Sequence, residues 1–138
     1  MIDLTLIKQA LEPVLSRFPV AFVYLYGSQM RGQTHAESDV DIALGFAANL
    51  KKDHDDLILD IYPELTRALK IPVEKIDLQN FDRLPLPVRF RVIRDGKLLY
   101  CRDPKYQHKQ VFKTLYQYHD EAPYLERAYQ AFLQRAVS

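Results

Sequence analysis

Residues Val20–Tyr26 read VAFVYLY, and Gly27 stops the run. A continuous stretch of aliphatic, β-branched and aromatic side chains leaves no face for water, so a short strand buried on both sides is expected. The glycine that ends it lets the backbone turn sharply and approach a ligand closely. Ser28 can cap a short helix after the turn, whose free N–H groups would face an anion. The turn therefore suits phosphate, although Gly-Ser after a strand also serves as a plain turn.

Ten residues separate Ser28 from Asp39-Val40-Asp41. Val40, Ile42 and Leu44 alternate with Asp39, Asp41 and Ala43, so a strand here puts the apolar set on the core face and both aspartates on the opposite one. Alternate residues lie roughly 6.5 Å apart along a strand, and carboxylate oxygens reach Mg²⁺ at about 2.0–2.1 Å, so the two side chains can hold a pair of ions. The bland alternative is a solvated edge strand whose acids discourage sheet pairing. Val73–Leu78 (VEKIDL), after Pro72, is expected to be another strand. It carries Asp77 between Ile76 and Leu78, where an unpaired charge is costly. Either a metal shared with Asp39 and Asp41 or a salt bridge to a nearby lysine or arginine would neutralise it.

The string GSQMRGQTHAESDVDIAL, Gly27 to Leu44, resembles the Gly-Ser, ten-residue, Asp-x-Asp signature of the DNA polymerase β-like nucleotidyltransferases. With Arg31-Gly32 after the turn and Ser38 before the first aspartate, it is similar to the minimal nucleotidyltransferases of bacteria and archaea. The likeness extends more weakly through Leu84–Tyr100. It implies the nucleotidyltransferase fold, an α+β arrangement with a small mixed β-sheet flanked by helices and with helices at the C-terminal end. It further implies Asp39, Asp41 and Asp77 as catalytic residues holding two Mg²⁺ ions, with Gly27, Ser28 and Arg31 binding the nucleotide. Arg31 either contacts phosphate or anchors the short helix. The activity implied is transfer of AMP from ATP to a hydroxyl, a tyrosine of a partner HEPN toxin, the chain acting as antitoxin. Two alternatives stand beside it: neutralisation of a partner by binding alone, and nucleotidyl transfer to a small molecule such as an aminoglycoside.

Composition agrees with a small enzyme. With 138 residues, 48% of them hydrophobic, the chain suits one domain, 1–138, with a core over about 1–100 and a helical tail over about 104–138. A net charge of +1 gives no general attraction to nucleic acid or to an acidic membrane. The single cysteine, Cys101, excludes an internal disulfide, and no leader or membrane-spanning stretch is visible, so a cytoplasmic location is expected.

The rest of the chain is read by period. Leu4, Ile7, Leu11 and Leu15 form a helical stripe ending before Pro19, and Lys51–Lys70 forms a second in which Pro63 implies a kink or a break. Asp53, Asp55 and Asp56 suit the N-terminus of that helix. Arg89, Arg91 and Arg94, interleaved with Val88, Val92 and Ile93, either meet a triphosphate or acidic partner or form the solvated face of a helix closed by Asp95-Gly96. Leu98–Tyr100 is a short strand or an extended arm. From about Pro104 the pattern is helical and rich in aromatic side chains, a candidate partner surface. His35, His54, His108 and His119 show no zinc spacing with Cys101.

Overall fold

The computed structural model describes residues 4–27, 40–118, 127 and 130–135. Helix α1 (Leu4–Leu15) leads into β1 (Val20–Tyr26). After β2 (Val40–Phe46) come α2 (His54–Leu69), β3 (Ile76–Asn80), α3 (Leu86–Asp95), β4 (Lys97–Cys101) and α4 (Pro104–Tyr118). The strands form one mixed sheet in the order β3-β2-β1-β4, with β1 antiparallel to β2 and β4, and β2 parallel to β3. The architecture is α+β, with helices against both faces of the sheet.

Each face carries its own core. On one, Leu11 and Leu15 of α1 and Ile61 and Leu65 of α2 pack against Val23, Leu25, Ile42, Leu44 and Leu78. On the other, Phe22, Tyr24 and Ala43 meet Phe81, Val92, Ile93, Val111, Leu115 and Phe132. The VAFVYLY run is accordingly buried on both sides, only Tyr26 at its end being partly open. For β2 the alternation misled: beyond Asp41 its second face is covered too, by small residues rather than polar ones. Gly45 shows why they are small. A Cβ there would sit 2.2 Å from Cζ of Phe22, whose ring is itself hemmed by Tyr24, Phe81 and Tyr106. Gly45→Ala is therefore expected to lower unfolding free energy by about 1–3 kcal/mol through overpacking, read as a lower urea midpoint with unchanged slope.

Several boundaries differ from the sequence reading, each for a local reason. Pro63 does not break α2; the carbonyl left without its N–H partner belongs to Leu59, a residue on the exposed side of the helix at 68% exposure. Asp53 caps α2 by accepting from the Asp55 amide at 2.7 Å, with Asp55 and Asp56 in the first turn as expected. Val73–Lys75 forms a 3₁₀ turn instead of a strand, closed by Lys75 N–H donating to the Pro72 carbonyl at 2.9 Å. The strand then runs two residues further than Leu78, to Asn80. Tyr62 of α2 fixes its place: the phenol donates to the Ile76 carbonyl at 3.2 Å and accepts from the Leu78 amide at 2.9 Å, bracketing Asp77. Leu98–Tyr100 lies in an edge strand, β4, which pairs with β1. Arg102, just beyond, donates to the Leu15 and Ser16 carbonyls and ties the end of α1 to the sheet.

Candidate active site

Register brings the chemistry together. Tyr26 pairs with Asp41 across β1 and β2, and Asp41 pairs with Asp77 across β2 and β3, so the three residues form a row at one end of the sheet. Neighbouring strands stand roughly 4.8 Å apart, and partners in register project to the same face. That face is the one with the second core, since Tyr24 and Ala43 lie two positions inward of Tyr26 and Asp41. β2 is internal, flanked by β1 and β3, which removes the reading of Asp41 as part of the solvated face of an edge strand.

Asp77 is half-buried, and among the described residues it forms an ion pair with no lysine or arginine. Its Oδ1 accepts a hydrogen bond from Gln79 Nε2 at 2.9 Å. Among the described residues a neutral donor thus stands where the salt bridge weighed for Asp77 would be, and it orients the carboxylate and leaves its charge in place. The Tyr26 phenol feels both acids: burial first, and then the charges of Asp41 and Asp77, push its pKa up to about 12.

Gly27 closes the row. Its φ is +86°, a conformation disfavoured for residues with a side chain, and a Cβ added to it would lie 2.1 Å from Asp41 Oδ2. The turn backbone therefore lies against the carboxylate, with no room for anything larger than hydrogen. Beside it opens a cavity of about 210 Å³ lined by Tyr26, Gly27, Val88, Arg91, Val92, Asp95 and Gly96.

The arginine cluster divides. Arg91 lines this cavity, whereas Arg89 donates to Gln117 at 3.3 Å, and Arg94 pairs with Asp95 at 2.8 Å and lies over the Phe90 ring. Of the residues singled out in the sequence, Gly27, Asp41 and Asp77 are brought together. Ser28, Arg31 and Asp39 lie outside the described residues, as does the short helix expected after the turn. Among the described residues no third His, Cys, Asp or Glu joins the Asp41–Asp77 pair. Tyr26 and Gln79 were not singled out as part of the site, and Arg91 was weighed only within the arginine cluster as a contact for a triphosphate or an acidic partner. Gln79 was within reach of the period-2 rule, since residues 77 and 79 share a strand face once the strand is carried past Leu78.

The family described as polymerase beta, nucleotidyltransferase matches residues 9–105. Comparison with curated proteins finds no match. Among solved structures, a toxin–antitoxin structure with AMP-PNP is 22% identical, covering 95% of this chain and 98% of that one, at a TM-score of 0.64. The tri-AMPylated HEPN toxin of Shewanella oneidensis in complex with its MNT antitoxin gives 20% identity, 99% and 100% coverage and a TM-score of 0.61. The toxin–antitoxin pair MntA–HepT gives 20%, with 97% and 99% coverage, at 0.60. Likeness at this identity speaks for the fold. No helix among the described residues is long and apolar enough to cross a membrane.

Proposed function

The chain belongs to the polymerase β nucleotidyltransferase family, and on that premise we propose that it transfers AMP from ATP to a hydroxyl of a partner protein. The partner is a HEPN-type toxin, the modified group a tyrosine, and the modification silences the toxin. The observation that carries the reading is the in-register pair Asp41–Asp77 beside a glycine turn that no side chain can occupy. The solved relatives support it by what they contain: one holds AMP-PNP, and in another the toxin is AMPylated and bound to its antitoxin.

The donor set fits magnesium. Two carboxylates on adjacent strands offer hard oxygen ligands on one face, and Asp39, one residue before β2, would join Asp41 and Asp77 in holding two ions. Such ions supply charge stabilisation for the entering and leaving oxygens of an in-line displacement.

The chain's own residues bind and orient. Gly27 presents bare backbone to the β- and γ-phosphates, and Ser28 and Arg31, which follow it in sequence, would bind the same nucleotide. Arg91, in the cavity next to Gly27, adds positive charge beside the turn. Gln79 holds Asp77 through Oδ1 and leaves Oδ2 for the reaction. The acceptor oxygen bonds to the α-phosphorus as the bond to pyrophosphate breaks, and the hydroxyl proton is lost to base.

Position of the label tests this. With α-³²P ATP, Mg²⁺ and the partner, radioactivity is expected on the partner protein; with γ-³²P ATP it is expected in pyrophosphate alone. Transfer of the γ-label would make the chain a kinase and overturn the proposal.

A further inference from the structure

A second cavity, of about 260 Å³, lies between β4, α3 and the first turns of α4, on the side of Gly96 away from the Gly27 turn. Its lining includes a buried amide with capacity to spare. Gln107 is 2% exposed, and among the described residues its side chain makes one hydrogen bond, from Nε2 to the Tyr24 hydroxyl at 2.6 Å. One N–H and the carbonyl Oε1 remain. That oxygen is not sealed in protein, since the one fully enclosed side-chain polar atom without a partner among the described residues is Arg89 Nε. Gln107 therefore keeps one N–H and its carbonyl oxygen at the cavity wall, where burial makes unmet polar groups costly.

The other walls narrow the ligand. Tyr24 and Phe132 supply aromatic surface, with the His108 ring edge-on to Phe132 at 5.5 Å, Lys97 supplies positive charge at the rim, and Arg135 adds a second guanidinium charge while its Nη2 donates to the Ile93 carbonyl. A paired donor and acceptor on an amide match the amino edge of adenine, aromatic walls match its faces, and lysine and arginine match a phosphate. We propose that this cavity is a second nucleotide site, one that takes an adenine nucleoside monophosphate. The inference rests on the cavity itself and holds whether or not Asp41 and Asp77 carry out nucleotidyl transfer.

Cys101 makes it testable, being the only cysteine in the chain and part of the lining. The rate of Cys101 alkylation by iodoacetamide is measured in the full chain against AMP, adenosine and inorganic phosphate. AMP at ten times its dissociation constant should slow alkylation about tenfold by mass action. Adenosine and phosphate should each protect less at the same concentration. Protection by AMP should persist in Asp41→Asn, which lies in the other site, and be lost in Gln107→Leu. Lys97→Ala, on the exposed rim and harmless to the core, should weaken protection by AMP while leaving protection by adenosine unchanged. An alkylation rate indifferent to AMP overturns the proposal. So does protection that vanishes in Asp41→Asn and survives Lys97→Ala.

Discussion

Gly27→Ala is expected to cost both the fold and the site, and to do so through Asp41. A residue with a Cβ at positive φ loses about 1–2 kcal/mol relative to glycine. In addition, the new Cβ would lie 2.1 Å from Asp41 Oδ2 and 3.1 Å from its Cγ, so the carboxylate must swing away from the row it shares with Asp77 and Tyr26. Together these should lower the melting temperature by roughly 5–10 °C. Transfer should fall on the order of a hundred- to a thousandfold, the scale seen when one preorganised electrostatic group is lost. A double-mutant cycle separates the two contributions. In an Asp41→Ala background the nearest remaining atom is Cβ at 3.4 Å, an ordinary contact, so Gly27→Ala should there cost only the backbone part. Equal costs in both backgrounds would show that the turn and the carboxylate are not coupled.

The same contact explains what could be read in the sequence and what could not. Gly27 and Asp41 were legible because each carries its reason locally: a glycine that stops an apolar run, and an acid in an alternating strand. Asp77 was legible through burial cost, since Ile76 and Leu78 beside it are buried. The register that aligns the two acids was not legible. It depends on Tyr62 of α2 gripping both sides of Asp77, a contact between residues 14 and 16 positions apart in sequence that no period announces. The second core was hidden for a related reason. Ala43 and Gly45 look like a polar face left blank, and only the Phe22 ring shows that the space is taken. Gln107 falls in an unremarkable helical stretch, and its pairing with Tyr24 spans 83 positions. The arginines divided because α3 sends Arg91 to the cavity beside Gly27 and Arg89 toward α4.

Asp77→Asn is expected to separate modification of the partner from binding to it. The substitution removes one charge at almost constant volume. The new amide can still accept from Gln79 Nε2 through its oxygen, so β3 and its register should persist, and melting in the absence of ligand should change little. What is lost is negative charge beside Asp41, and with it the proposed hold on a divalent ion on that side. Mg²⁺ and ATP, which at about 100 times the dissociation constant should stabilise the wild type by roughly 2.7 kcal/mol, should then stabilise the variant much less. Transfer of the α-label to the partner should drop on the order of a hundred- to a thousandfold. The aromatic C-terminal segment, the candidate partner surface, is untouched by the substitution, so the two proteins should still co-purify. If modification is the neutralising step, the co-purified toxin carries no AMP and keeps its activity once diluted from the complex. If Asp77→Asn instead silences the toxin as well as the wild type does at equal concentration, neutralisation proceeds by occlusion. The site at Asp41 and Asp77 would then serve some other acceptor, and the proposed biological role of the chain would be wrong even with its nucleotide chemistry intact.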